Sequence, residues 1–265
     1  PVFSGGRRID GFSSVTDEAV LARLPEEARG KVVQSDLKAF GINSLSPVKL
    51  GGMASGNGFV THPIAEVYFN GEPMTMARYP NTGMQHVVDI VESDGHEIHG
   101  MKGSKIGKIR YEGERPKRWT QEKDAMLYGY WFFDWADSYE RIAAVDTEKG
   151  EITFAKPFHT YGYRKDARYF AVNLLAEIDM PGEWYIDREK AVLYFYPPSD
   201  PAAARIDLSL LEKPLLSLNE VSNVRFEGIT WELGAGDAIL VTGGERCLFA
   251  GCAVERFGGN GITLQ

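Results

Sequence analysis

The nine residues Val224–Glu232 (Val-Arg-Phe-Glu-Gly-Ile-Thr-Trp-Glu) recur 23 positions later as Cys247–Glu255, and Gly236–Val241 recurs at the same offset as Gly259–Leu264. A weaker copy lies one period earlier, aligning Ile206 with Ile229, Leu208 with Trp231, Leu216 with Ile239 and Leu218 with Val241. Each copy holds short strands whose apolar residues fall at every second position, so Val224, Phe226, Ile229, Trp231, Ile239 and Val241 share one face. One such unit cannot bury that face alone, but a stack can. Stacking predicts Phe226 over Phe249 and Ile239 over Ile262, with Arg225, Glu227, Thr230 and Leu240 outward. Gly228, Gly251, Gly236 and Gly259 mark the corners, where a positive φ or close backbone approach is needed. The pattern predicts a parallel β-helix. A leucine-rich repeat of similar period would need a Leu-x-x-Leu-x-Leu pattern, which is absent. Pro1–Gly6 resembles Ile239–Gly244, and the last strand stops at Gln265, so we expect an internal segment of a longer protein, cut in mid-coil at both ends.

Composition narrows the partners. The chain has 265 residues, 43% hydrophobic and 25% charged, values ordinary for a globular protein. A net charge of −8 argues against nucleic acid or an anionic membrane surface. No apolar run reaches transmembrane length, so no membrane insertion is expected. Cys247 and Cys252 fall on inward positions of the repeat and read as free thiols acting as small hydrophobes. The histidines, His62, His86, His96, His99 and His159, are scattered. No Cys/His cluster has ligand spacing, so no metal site is expected. Neither a P-loop nor a dinucleotide fingerprint is present, and no cofactor is implied.

Toward the N-terminus, Asp17 reads as the cap of a short helix over Glu18–Leu24, with a second turn ending at Gly30. Residues 31–37 read as a strand, and Gly51–Gly58 as a flexible linker. The texture then changes. Asn70-Gly71 predicts a tight hairpin turn, strand-like pieces are expected near 87–91 and 106–112, and further strand pairs around 141–146 with 151–154 and 182–187 with 191–196. Residues 51–204 therefore read as a β-sandwich inserted between an early coil with its short helix (1–50) and late coils (205–265).

Glu66–Met74 with Ala77-Arg78-Tyr79-Pro80-Asn81, Pro181–Arg188 with Leu193–Pro198, and Trp131–Asp137 with Tyr161-Gly162 resemble the right-handed parallel β-helix proteins of bacteria that carry an outer β-sandwich. That family includes carbohydrate-active enzymes, among them β-xylosidase-like, fucosidase-like and xylanase-like glycoside hydrolases. The resemblance covers nearly the whole chain. It implies an all-β fold, a right-handed helix, a carbohydrate substrate and an extracellular or periplasmic location. It also implies catalytic carboxylates on later coils, beyond Gln265, so that this segment alone would be inactive. The parent protein is expected to be a glycoside hydrolase. A non-catalytic carbohydrate-binding or surface-adhesion solenoid, a purely structural scaffold and a polysaccharide lyase are the alternatives.

Glycoside hydrolysis needs two carboxyls about 5–5.5 Å apart for retention or about 6.5–9.5 Å for inversion. Adjacent strands lie about 4.8 Å apart, so Glu232 and Glu255, at equivalent positions of successive copies, are the candidate catalytic pair. Like charges that close should separate in acidity; solvated corner residues pointing apart are the other reading. Asp237 and Asn260 stack likewise and suit a corner hydrogen-bond ladder. Trp131, Asp134 and Trp135 lie in an aromatic run that suits either a sugar-stacking platform or, through the alternation Trp131/Phe133/Trp135, a sandwich core. Glu183, after a Pro-Gly turn, is expected to be exposed and is a candidate substrate-binding residue. The Arg78 fork suits a ligand oxygen or an ion pair with Asp134 or Asp137.

Overall fold

The computed structural model describes residues 1–48, 51–56 and 64–265. In the C-terminal part the repeat becomes three short parallel ladders, each offset by one period. Leu216–Asn219, Ile239–Thr242 and Ile262–Leu264 stack with Leu216 on Ile239 on Ile262. Arg225–Glu227 pairs with Leu248–Ala250, placing Phe226 on Phe249, and Thr230–Gly234 pairs with Ala253–Phe257. The Phe226 and Phe249 rings stack at 5.0 Å and 11°, with the Trp231 ring edge-on to both. Leu218, Trp231, Ala238, Ile239 and Val241 are buried around them, and the half-buried free thiols Cys247 and Cys252 pack against this cluster. Burying each large apolar side chain there contributes about 1.5–3 kcal/mol. The corner glycines serve in two ways. Gly228 and Gly251 take φ of 63° and 58°, whereas a Cβ on Gly236 would lie 2.1 Å from the Glu212 carbonyl oxygen. Asn260 donates its backbone N–H to Asp237 Oδ1 at 2.7 Å, the expected corner ladder.

The weak earlier copy is only half realised. Leu216 and Leu218 take their places, but Ile206–Ser209 runs antiparallel between Gly6–Arg8 and Val67–Phe69. The place beside Trp231 is filled by the first strand, Val2–Ser4, which pairs in parallel with Thr230–Gly234 and sets Phe3 against Trp231. The opening residues thus do join the stack, but on the Trp231 ladder and not on the Ile239 ladder that Pro1–Gly6 resembles. Alternation places a strand's faces without specifying its direction or its neighbour.

Elsewhere the sheets are small and mixed. Ser13–Ser14, Val33–Asp36, Val192–Phe195, Glu183–Asp187 and Thr75–Met76 form one sheet in that order, antiparallel except for the last pairing. It draws strands from both sides of position 50. The largest sheet is antiparallel and built on the hairpins Met126–Tyr130 with Ser138–Asp146 and Ser138–Asp146 with Glu151–Phe154, flanked by Arg168–Val172 and Lys108–Arg110. Trp119, Trp131, Tyr163, Ile109, Leu127 and Ile152 fill its core. A second core joins Ile9, Leu37, Val67, Trp184, Phe195 and Leu208. The helix Glu18–Arg23 starts where Asp17 accepts the Ala19 N–H, and its Val20 is buried against the outer face of the Tyr185 and Tyr194 strands. Asn70 and Gly71, with φ of 51° and 86°, make the expected turn between Val67–Phe69 and Glu72–Pro73. Few residues are helical, so the chain is all-β in class. Among the described residues, no helix is long and apolar enough to cross a membrane.

Two local expectations are corrected. Residues 51–56 are bound to the strand that starts at Ser138, not loose: Tyr139 donates to the Gly51 carbonyl at 3.0 Å and Ala54 to the Asp137 carbonyl at 2.9 Å. A Cβ on Gly52 would meet the Asp137 carbonyl oxygen at 2.6 Å, so this glycine serves close approach. Asn57 and Gly58 of the expected linker, and His62, lie outside the described residues. Second, the strand containing Tyr130 ends there, so alternation stops: Trp131 and Phe132 are both fully buried while Trp135 is 55% exposed.

Candidate functional site

Glu232 and Glu255 stand opposite each other on neighbouring parallel strands. Glu232 is buried and Glu255 exposed. A guanidinium lies between them: Arg256 Nη2 donates to Glu232 Oε2 and, at 2.6 Å, to Glu255 Oε1. Arg205 donates to the other Glu232 oxygen at 3.2 Å and pairs with the buried Asp207 at 2.7 Å. The Asp207 carboxylate holds the Arg205 guanidinium above its ordinary range, against the opposing effect of burial. Three carboxylates and two guanidiniums therefore form one chain across the strands, tying Ile206–Ser209 to the two parallel strands.

The kink that aims Arg256 is itself repeated. Leu233 and Arg256, one period apart, take left-handed φ of 62° and 60°. Neither is a glycine, so the conformation carries strain that the surrounding packing must offset. It breaks the in-out alternation just after each glutamate and brings Arg256 onto the carboxylate side. A cavity of about 330 Å³ opens here, lined by Asn70, Gly71, Arg205, Asp207 and Arg256. Asn70 accepts the Arg205 backbone N–H at 2.8 Å, fixing the hairpin turn at its rim. The arrangement offers forked donors and buried acceptors to a hydroxyl-rich ligand. A glycosidic oxygen that touched both glutamates would first have to displace Arg256. Sequence reasoning found the glutamate pair but missed Arg205, Asp207 and Arg256. The alignment carries a signal for the last: Leu233 is answered by an arginine.

The other expected binding residues fall elsewhere. Trp131 is wholly enclosed, its indole N–H donating to the Ser138 carbonyl at 3.1 Å, so its ring belongs to the core and offers no face to a sugar. Trp135 is different: it stacks on Phe133 at 5.5 Å and 11°, with Tyr161 edge-on to both rings. Asp134 lies within ion-pair reach of Arg164 and Arg168, at 3.7 and 3.6 Å. These residues make an exposed aromatic surface with charges at its edge.

Glu183 is only 1% exposed, contrary to expectation. It accepts backbone N–H bonds from Asp179, Met180 and Arg78, while burial pushes its pKa up to about 7. The Arg78 guanidinium lies over the Phe170 ring at 3.9 Å and donates to the Pro80 and Gly83 carbonyls. The expected ion pair with Asp134 or Asp137 does not form. Asp134 faces Arg164 and Arg168, and Asp137 accepts the Met53 N–H. The structure thus brings Arg78 together with Glu183, Asp134 with Trp135, and Glu232 with Glu255, as three separate groups.

His96 rests its ring edge on Phe132 and bonds the Tyr161 carbonyl, while His99 sits in the turn of a small hairpin. Among the described residues no group of three or more His, Cys, Asp or Glu side chains is placed to hold a metal ion.

No family model and no curated protein matches the chain. Among solved structures it is similar to one described as "Glycoside hydrolase", with a TM-score of 0.68 and 15% sequence identity, over 98% of this chain and 49% of that one. At that identity the likeness is one of fold, and the chain spans about half the length of the structure it matches.

Proposed function

We propose that this chain is part of a carbohydrate-active protein built on a right-handed parallel β-helix, with residues 51–204 as an inserted β-sandwich, and that the whole protein hydrolyses glycosides outside the cytoplasm. The observation that carries the proposal is the likeness in fold, over 98% of the chain, to a protein described as a glycoside hydrolase. The in-register strands one period apart support the helix. Within this chain Glu232 and Glu255 are the candidate carboxylates. They reach a scissile bond only when Arg256 swings out; with Arg256 in place the cluster binds hydroxyls and braces the coils, and cleavage falls to carboxylates elsewhere in the protein.

A panel of aryl glycosides with the full-length natural protein tests this directly. Turnover on at least one is expected, and none on any would refute the hydrolase reading. Glu232→Gln and Glu255→Gln then assign the chemistry: a loss of about 100-fold or more in kcat places it on this pair, and undiminished turnover places it on other coils. The exposed Trp135, stacked on Phe133, favours a second reading as a non-catalytic carbohydrate-binding protein, which a glycan array showing binding without turnover would support.

A further inference from the structure

We propose that a second cleft, which shares no lining residue with the cavity beside the glutamate pair, binds a carboxylate-bearing saccharide whose acid group pairs with Arg188 and Arg7. This inference rests on the carbohydrate reading above and names a substrate class for it. The cleft has a volume of about 410 Å³, and its polar wall is Arg7, Asn43, Ser44, Ser46, Arg188 and Glu212. Ile42, Leu45 and Leu210 are among its apolar lining residues. Clefts of roughly 300–1,000 Å³ with an apolar floor and a few convergent polar groups are the usual form of a small-ligand site.

Arg188 is the centre of the case. Its guanidinium is held only by neutral acceptors: the Ser46 carbonyl at 3.2 Å, Asn173 Oδ1 at 3.4 Å and the Ile186 carbonyl at 3.3 Å. Among the described residues it has no carboxylate partner. The acids on its other side, around a smaller cavity, are Asp124, Asp187 and Glu189. Each is engaged: Asp124 with Arg141 at 2.7 Å, Asp187 with the Lys190 N–H at 2.9 Å, and Glu189 with Lys123. Residues 49–50 and 57–63 contain no Asp or Glu. Burial pulls the guanidinium below its ordinary value, with Asp124 acting the other way, as expected of a cation short of counter-charge.

Arg7, on the strand Gly6–Arg8, is exposed and has no side-chain partner among the described residues. A carboxylate between two guanidiniums gains forked, charge-assisted hydrogen bonds. The side chains of Asn43, Ser44 and Ser46 are exposed and carry no hydrogen bond among the described residues, so they are available to sugar hydroxyls. The carboxylate of Glu212, on the same wall, accepts from hydroxyls and opposes a bare polyanion. That mixture of two guanidiniums with one carboxylate and several neutral donors selects an acidic sugar over a simple anion.

Calorimetric titration of the full-length natural protein provides the test. The probes are a xylotetraose carrying one glucuronate branch and the same molecule with that carboxyl reduced to the alcohol. The acid is expected to bind about tenfold or more tightly than its reduced form. Arg188→Gln and Arg7→Gln should each abolish most of that preference, weakening binding of the acid far more than binding of the reduced glycan. Because Arg7 has no partner to lose, its variant keeps the test valid if Arg188→Gln misfolds. Equal affinity for the two glycans, a preference that survives both substitutions, or equally tight binding of polyglutamate would overturn the proposal. Binding of the reduced glycan without preference for the acid, or binding of neither glycan, sinks this inference alone; the carbohydrate reading falls only if the aryl-glycoside panel also shows no turnover.

Discussion

Glu140 offers a direct measurement of how dry the large core is. It lies on the strand Ser138–Asp146 and is only 2% exposed, with the Ser138 hydroxyl donating to one oxygen at 2.5 Å and the Tyr163 hydroxyl to the other at 2.8 Å. Burial pushes its pKa up from 4.5 to about 7, against those hydrogen bonds and one from the His159 backbone. Between these two values the folded protein keeps a proton that the unfolded chain has released. The stability this group contributes is therefore full below pH 4.5 and is lost as the pH rises to about 7. At about 1.4 kcal/mol for each pH unit, the loss comes to about 3 kcal/mol. That is a sizeable share of the 5–15 kcal/mol or so that holds a typical domain.

Glu140→Gln removes the titration while keeping the shape. The Ser138 and Tyr163 hydroxyls donate or accept as needed, so the amide NH2 can donate to Ser138 while its oxygen accepts from Tyr163. Glu183 would make a poorer test, because its three partners are backbone N–H groups that can only donate. Urea titrations at steps from pH 4.5 to 8 give stability curves for both proteins. Relative to wild type, the variant should gain about 3 kcal/mol between pH 4.5 and 7. Three other buried groups act in the same window. Glu183, also raised to about 7, and Glu177, raised by burial, add a fall with pH, and His159, lowered from 6.5 by burial, adds a rise as the pH approaches 6.5. All three remain in the variant and cancel in the difference. Parallel curves for the two proteins would refute the reasoning and show that water reaches Glu140.

Further outcomes follow from the stacked repeats. Glu232→Ala removes the buried carboxylate shared by Arg205 and Arg256, leaving them Asp207 and Glu255, and should cost about 2–3 kcal/mol, less than a fully buried pair because Arg205 is half-exposed. Glu255→Ala, at an exposed position, should cost under about 1 kcal/mol; equal shifts in thermal midpoint would dismiss the brace. Gly236→Ala forces a Cβ to 2.1 Å from the Glu212 carbonyl oxygen and should destabilise by about 2 kcal/mol or more. Gly11→Ala meets nothing within 4 Å at a φ of 63° and should cost about 1 kcal/mol, so the ranking of the two midpoints is the check.

What could be read from the amino acids alone divides along physical lines. The vertical register of the repeats was legible because a repeat reports its own neighbour: Phe226 and Phe249 occupy equivalent positions, and only stacking buries both. The Asn70-Gly71 turn was legible because two positive φ values in succession suit few other pairs. Burial of polar groups was not. Glu183 follows a Pro-Gly turn and looks exposed, yet its carboxylate satisfies backbone donors more than 100 positions away in the case of Arg78. Nor was the Arg205–Glu232–Arg256 chain, because it depends on a left-handed kink at Leu233 and Arg256 that neither residue type favours.

The sharpest instance is the contest for the place beside Trp231. Two segments had the alternation to fill it, Val2–Ser4 and Ile206–Ser209. Ile206 and Leu208 are buried where they lie, in the core with Val67 and Phe69, whereas Val2 and Phe3 remain more than half exposed even after pairing. Area removed from water therefore favours sending the 206–209 strand to the mixed sheet, leaving the poorer strand to cap Trp231. Gly5 and Gly6 permit the crossing: a Cβ on Gly6 would lie 2.8 Å from the Leu208 carbonyl oxygen and one on Gly5 3.0 Å from Leu211. The same exchange brings Arg205 and Asp207 to Glu232, and Arg7 to the cleft that holds Arg188. Both candidate sites thus arise from one choice of strand partner, made by burial and invisible to periodicity.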